Sequence, residues 1–463
     1  MFLNGNRPGA GQFRRLRAGG RRHMGESGRG IGIYHGNRYY WALGGEPVLL
    51  LGGAPRAEGP NDVGVFHLPN LVQYLEALVA VGGNWTRCLM SGQHSSNRWP
   101  FARVGERYDL DQWNEEYWDR FELFLRESSA RGIVTDCELW ATFDYYRDTW
   151  TVNPFNPANN VNYSAESTGI PTVVATEPHK AENPFFWTVP EEHNLTAVLR
   201  YQQRFVDRIL SHTLRYDHVL YCMDNETMVT PKWSEYWARY VRRKADEARR
   251  KVHVTEMRDP KDMRNPEHLH IFDRPDLYDY LEIAQNNVNV GRAHYDGIQY
   301  VRTYVADRPC PLSNVKIYGS TYLGTYQDGK ERFWRNIIGG AASARFHEKH
   351  LDFSDTAQRM IRSARGVTAA CDIFACAPHP ELLHADGDNT AYCLAQPGTQ
   401  YAVYFTDGGA ADLDISACRN GVSLRWFGID QGGWIGRRQM RSGACAHLQT
   451  PGPGQWAAVL RAA

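Results

Sequence analysis

The stretch VLYCMDNETM, residues 219–228, sets an apolar run directly against a cluster of polar groups. Val219 to Met223 reads as a buried strand. It passes into Asp224, Asn225 and Glu226 without the glycine or proline that commonly marks such a change. A rigid strand ending this way can aim a carboxylate into a shared cavity. A polar strand end feeding a loop would look the same locally, so the surroundings of the stretch decide its meaning.

The surroundings repeat it. Strands are read at PVLLLGG (47–53), NWTRCLM (84–90), GIVTDCELW (132–140), HVLYCMD (218–224) and KVHVTEM (251–257). The series continues with YDYLEIAQ (278–285), NVKIYG (314–319) and AASARFH (341–347). Helical patterns lie between and after them, at 69–81, 111–131, 191–215, 231–250, 291–306, 330–338 and 353–370. The gap between the fifth and sixth strands is loop-like and only weakly helical. Eight strands alternating with helices predict an α/β fold, a closed (β/α)8 TIM barrel. A doubly wound open sheet would carry a glycine-rich phosphate turn after its first strand, and LGGAPRAEG (51–59) is not G-x-G-x-x-G.

After residue 376 the texture changes. NTAYCLAQ, QYAVYFTD, VSLRWFGID and GQWAAVLRA alternate apolar and polar residues and are split by PGTQ, DGGAAD and QGGW. This predicts a C-terminal antiparallel β-sandwich. The chain therefore divides into a disordered or mis-assigned segment at 1–30, a barrel at 31–376 and a sandwich at 377–463.

Composition narrows the function. Lys+Arg and Asp+Glu both number 52, so no net field draws the chain to nucleic acid or to an anionic membrane. Its 14 Trp, 25 Tyr and 18 Phe suit a ligand with rings to stack on, such as a sugar, although large cores use aromatics too. The nine Cys form no CxxC pair and no zinc spacing, and several sit in apolar runs as buried thiols. No run of 18 apolar residues predicts a membrane span, and no apolar signal core follows the first residues. A secreted or periplasmic location is expected if a leader was lost or mis-annotated, and a cytoplasmic one otherwise. One loop, 142–190, is unusually long, and its Tyr145, Tyr146, Trp150, Phe155, Phe186 and Trp187 are expected to divide between a sugar cleft and a local core.

In such a barrel the strand C-termini converge on one pocket. They supply Arg87, Glu138, Trp140, Asp144, Asp224, Asn225, Glu226, Glu256, Asp259, Glu282, Gln285, Asn286, Asn287, Lys316, Tyr318, Arg345, His347 and Glu348. No G-x-S-x-G elbow and no H-x-H or H-E-x-x-H appears, so neither a serine triad nor a metal hydrolase is indicated, and no cofactor is called for. Carboxylates with arginine, amides and aromatics are what glycoside hydrolysis needs: one acid protonates the leaving oxygen, and another attacks or activates water.

CMDNE at the fourth strand resembles the strand-four Asn-Glu of the clan-A glycoside hydrolases. GGNWTR is similar to the clan's strand-two segment. LGGEPVLLLGG and the closing sandwich resemble barrel hydrolases with a C-terminal domain of the collagen-binding type, and NPFNPANNVNY, YCMDNET and FWRNIIGGAASARFH resemble a bacterial branch of them. The resemblance covers most of the chain from residue 38. It implies polysaccharide degradation with Glu226 as general acid/base, Asn225 gripping a sugar hydroxyl and Arg87 supporting the carboxylates. Trp140, Asp144, Asn286, Tyr318 and His347 are the further candidates for touching substrate.

The chain departs from the clan at strand seven. The clan's nucleophile falls where NVKIYGST has Ile317, and no acid is close. Glu256 is the first substitute, Glu282 a deeper supporting acid and Glu348 the third. Two other readings stay open: a carbohydrate-binding barrel that lost its nucleophile, and a lyase or epimerase-type barrel that removes a C5 proton.

Overall fold

The computed structural model describes residues 30–55, 64–90, 99–318, 324–347, 353–385, 387–441 and 443–463. The expectations for residues 1–29 and for Glu348 lie outside the described residues. The barrel strands are β1 Leu50–Gly53, β2 Trp85–Leu89, β3 Val134–Ala141, β4 Val219–Asn225, β5 Val254–Thr255, β6 Leu281–Glu282, β7 Leu312–Ser313 and β8 Ser343–Phe346. Seven overlap the runs read from the sequence, and β7 falls just ahead of the run read at 314–319, which keeps only the bridge between Ile317 and Phe346. Each is followed by a helix: α1 Leu71–Ala80, α2 Glu115–Ala130, α3 Thr196–Thr213, α4 Pro231–Glu247, α5 Pro266–Phe272, α6 Gly291–Tyr304, α7 Tyr326–Ile338 and α8 Asp355–Ala370. Helix α5 occupies the gap between the fifth and sixth strands.

The sheet closes on itself. Parallel pairing joins β2 to β3, β3 to β4, β4 to β5, β6 to β7 and β8 to β1. Backbone bonds close the remaining seams: Asn84 N donates to Leu51 O, Asp279 N to Val254 O and Ala342 N to Leu312 O, each at 2.9 Å. Every strand therefore has two neighbours, which is what makes the sheet a barrel. At Gly52 the close approach of β2 requires glycine, because a Cβ there would sit 2.2 Å from Trp85 O. A three-stranded antiparallel sheet (Ile31–Ile33, Trp41–Leu43, Glu46–Val48) covers the barrel's N-terminal end. Its fully buried Trp41 meets Tyr280 and His253 edge-on at 5.2 and 5.5 Å, just ahead of β6 and β5.

The 142–190 loop is a folded layer of its own. Tyr145, Tyr146, Trp150, Phe155 and Phe186 are buried, so the aromatics expected in part to line a cleft are mostly core. Its asparagines explain how a segment with so little regular structure stays ordered. Asn156 Nδ2 donates to Trp150 O and Thr172 O, both at 2.9 Å, and Asn160 Nδ2 donates to Pro154 O and Asn156 O at 3.1 and 3.0 Å. Amide side chains here do the work that a sheet ladder does elsewhere.

The C-terminal strands are β9 Ala377–Pro378, β10 Leu383–Ala385, β11 Ala391–Gln396, β12 Gln400–Phe405, β13 Ala410–Asp414, β14 Val422–Gly428, β15 Gly433–Met440, β16 Cys445–Gln449 and β17 Trp456–Ala462. They form a six-stranded sheet in the order β9-β11-β12-β17-β14-β15 and a three-stranded sheet in the order β10-β13-β16, both antiparallel. Residues such as Tyr401, Val403, Leu413, Leu448 and Leu460 are buried between them. The opposite face of the larger sheet packs on the barrel. Trp334 of α7 stacks on Tyr404 at 5.7 Å, and Ser363 Oγ of α8 donates to Ile429 O at 2.9 Å.

Candidate active site

Parallel strands present their C-termini on one face, and that face gathers β2, β3, β4 and the segments after β6 and β7 around a single cluster, with the segment after β5 beside it. Arg87 on β2 makes a two-pronged ion pair with Glu138 on β3, with Nε to Oε1 and Nη2 to Oε2 both at 2.6 Å. The same Nη2 donates to Asn225 Oδ1 at 2.9 Å. Lys316, past β7, donates from Nζ to that Asn225 oxygen and lies 2.5 Å from Glu226 Oε1. Gln285, past β6, stands beside the Glu226 carboxylate and helps hold its pKa down. The resemblance set Asn225 to grip a sugar hydroxyl. Here its oxygen already accepts from two cations, which fixes how β4 presents the next residue.

That residue is Glu226. Its φ is 52°, the left-handed region that a side chain normally avoids, and about a fifth of its side chain (19%) remains exposed where Lys316 shows 2%. Strain of this kind costs about 1–3 kcal/mol and persists where the surroundings enforce it. Burial pushes the Glu226 pKa up, but Lys316 and Arg87 outweigh it and hold the carboxylate below its ordinary range. Arg87 is kept firmly charged: burial opposes the charge, and Glu138 overcomes that. Burial and the Arg87 charge lower the Lys316 pKa against the pull of Glu226.

The other acids divide by depth. Asp224 is fully buried, accepting from Thr142 N at 2.9 Å, Asn225 N at 2.8 Å and Thr142 Oγ1 at 2.8 Å, and burial still raises its pKa to about 7. Glu282 Oε1 accepts from Ala284 N at 2.9 Å and Val315 N at 3.3 Å, and burial raises it to about 7 as well. Glu282 thus holds together the backbone after β6 and β7, in keeping with its deep position. Asp259 differs. It is half-buried on the segment after β5, and burial followed by the charge of Glu226 raises its pKa.

Four sequence expectations are corrected. Glu256 is 1% exposed, beside Asp224 and Ser234 of α4, so its carboxylate faces the layer between barrel and helices. Trp140 is fully buried with Trp237, Phe205, Trp233 and Phe185 at 5.2 to 5.8 Å, because its end of β3 packs outward against α3 and α4. Asp144 is fully buried near Asp224, which together with desolvation pushes its pKa well up. Asn286 is buried, donating to His294 O at 2.8 Å and tucked against Gly297, so it ties the turn after β6 to α6. None of the four reaches the mouth.

Tyr318 and His347, expected at the ends of strands seven and eight, meet edge-on at 5.2 Å beside this cluster, with Tyr318 close enough to feel the Arg87 charge. The sequence reading assigned no role to Lys316, which it placed at the barrel mouth, and did not single out His179. Lys316 carries the anchoring of Glu226, and exposed His179 of the long loop reaches the field of Asp259. Only Lys316 left a signal, as a lone cation inside the apolar frame of NVKIYG.

Among the described residues no group of His, Cys, Asp and Glu could hold a metal ion, and no helix is long and apolar enough to cross a membrane. No protein-family model matches the chain, and no curated protein matches it. Solved structures do. A glycoside hydrolase family 5 protein from Bacteroides vulgatus superposes with a TM-score of 0.60 at 11% identity over 93% of each chain. A second glycoside hydrolase gives 0.61 at 10% identity over 94% of this chain and 97% of its own. The family 5 mannosidase from Rhizomucor miehei, in complex with mannosyl-fructose, gives 0.51 at 10% identity over 73% of this chain and 96% of its own. At such identities the likeness shows the fold alone, a (β/α)8 barrel carried with a C-terminal β-sandwich over most of the chain.

Proposed function

We propose that the protein is a glycoside hydrolase acting on a poly- or oligosaccharide, with Glu226 as the carboxylate at the reaction centre. The observation that carries this reading is the posture of Glu226. It is held at φ 52° at the mouth of the barrel, partly open to solvent, and tied through Lys316 and Asn225 to the Arg87–Glu138 pair. A side chain kept in a strained backbone by a network of this size has its position defined for chemistry. Two-carboxylate hydrolysis needs such a group, and the fold's neighbours are glycoside hydrolases.

A second reading rests on strand seven. Lys316 and Ile317 stand there and no carboxylate does, which fits a barrel that binds a glycan and does not cleave it. One experiment separates the two. The full-length protein is incubated with a panel of plant, fungal and bacterial polysaccharides, and released reducing sugar is measured alongside glycan-induced shifts in melting temperature. Release that falls by at least ~10²-fold in Glu226→Gln, with unchanged melting, supports the hydrolase. A melting shift without release supports the binder.

A further inference from the structure

We propose that Asp259 is the proton donor to the leaving group and that Glu226, with Lys316 Nζ seated on its Oε1, works as the ionised base. This rests on the hydrolase reading and assigns its two roles. In the resemblance Glu226 is the acid/base and an acid on strand seven is the nucleophile. Here a cation from strand seven is 2.5 Å from Glu226, so the charge that strand seven brings favours the ionised form of Glu226.

The geometry supplies a partner on the next strand. Thr227 N donates to Met257 O at 3.0 Å and Asp259 N to Thr227 O at 3.1 Å, a continuation of the β4–β5 pairing beyond the strands themselves. Glu226 and Asp259 therefore leave the barrel from adjacent, hydrogen-bonded chain segments. Glu138, Asp224, Glu256 and Glu282 are each no more than 2% exposed, whereas Asp259 and the side chain of Glu226 reach solvent. The strongest charges acting on Glu226 are Lys316 and Arg87, with Asp259 opposing them, and those acting on Asp259 are Glu226, Lys316, His179 and Arg258. Burial and the neighbouring Glu226 charge favour a retained proton on Asp259, whereas the two cations favour its loss on Glu226. Two carboxyl groups pushed in opposite directions are the arrangement that separates an acid from a base.

The step balances. A water oxygen bonds to the anomeric carbon as Glu226 takes one of the water's protons. The glycosidic C–O bond breaks, its electron pair goes to the departing oxygen, and that oxygen takes the Asp259 proton. Asp259 is left ionised and Glu226 protonated, and exchange with solvent restores both. The anomeric configuration inverts.

The test uses the full chain with 4-nitrophenyl and 2,4-dinitrophenyl glycosides of glucose, mannose, galactose, arabinose and xylose, and with the polysaccharide it degrades. A dinitrophenolate departs without a proton. Asp259→Asn is expected to lose at least ~10²-fold on the polysaccharide but less than ~10-fold on the dinitrophenyl glycoside, while Glu226→Gln loses at least ~10²-fold on both. Lys316→Met should move the acidic limb of kcat/KM to higher pH, because Glu226 then protonates more readily, and Lys316→Arg should move it back. The sugar first released should carry the inverted configuration by proton NMR. If Glu226→Gln spares the dinitrophenyl glycoside, if Asp259→Asn falls equally on both substrates or on neither, or if configuration is retained, the role assignment is overturned while the hydrolase reading stands. If the unmutated protein releases sugar from none of these substrates, the hydrolase reading itself fails, and this assignment with it.

Discussion

Glu282 is a carboxylic acid that keeps its proton to a higher pH in the fold than in the unfolded chain. Burial raises its pKa from the ordinary 4.5 to about 7, although two backbone N–H groups on Oε1 pull the other way. The unfolded chain gives up this proton near 4.5, and the native protein keeps it until about 7. Between those values the native state binds more protons, so stability contributed by the group is intact at low pH and is lost as pH rises. Glu282→Gln keeps an acceptor for both N–H groups and never ionises. The variant should therefore gain on the unmutated protein as pH rises, by on the order of 3 kcal/mol at neutral pH. Melting curves taken from pH 4.5 to 7.5 check this, and parallel curves for the two proteins would remove the argument. At this scale Glu226 was legible in the sequence as a candidate, whereas its partners were not. Asp-Asn-Glu after an apolar strand is a local pattern, whereas the pairing of Lys316 with Glu226 joins residues 90 positions apart that only barrel closure brings together. Glu256 misled for a related reason: two residues of strand are too few for alternation to say which face a side chain takes.

Among the elements, the long loop carries the clearest consequence. Asn156 is 1% exposed, donates to two backbone carbonyls and accepts from Ala158 N at 3.0 Å. Asn156→Ala removes all three bonds from a site that water does not reach, which should cost roughly 2–3 kcal/mol. Limited proteolysis should then cut within residues 142–190 well below the global melting temperature. An unchanged cleavage pattern would mean that the loop's aromatic core, and not its asparagines, holds it. The strands were legible because each is an apolar run between helical periods. Their ends were not: the runs read at 251–257, 278–285 and 314–319 contain or adjoin strands of only two residues, Val254–Thr255, Leu281–Glu282 and Leu312–Ser313. The run read at 278–285 ends in the 3₁₀ turn Ala284–Val288, whose amides Gln285, Asn286 and Asn287 leave the sheet pairing. The hairpin at Phe101–Val104 and Arg107–Trp113 was partly absorbed into the helix reading at 111–131, because no glycine or proline separates Trp113 from α2. In the sandwich, β13 and β15 begin inside the glycine-rich stretches read as breaks.

For the whole molecule the governing fact is a shared core. Tyr392, Leu394, Ala402, Tyr404, Phe427, Ile429, Ala457 and Val459 of the sandwich belong to the same continuous apolar cluster as the barrel, separate from the sandwich's own interior. Polar ties edge this contact: Gln327 Nε2 donates to Thr406 O at 3.0 Å, and Lys330 pairs with Asp430 at 2.8 Å. Gly366 of α8 lies so close to Phe427 that a Cβ would stand 2.8 Å from the ring. A surface this apolar, with Trp334 fully buried in it, cannot be uncovered without exposing the barrel's own side chains. We therefore expect barrel and sandwich to unfold together. Calorimetry of the full chain should show one transition, with the calorimetric and van't Hoff enthalpies equal. Gly366→Ala should lower that single transition without splitting it, since Phe427 must shift in both partners' contact. A chain ended at Cys376 should aggregate or melt well below the intact protein. If instead it stays soluble and melts at the temperature of the intact chain, the sandwich is an appendage, and the roles proposed for Glu226 and Asp259 can be tested on the barrel alone.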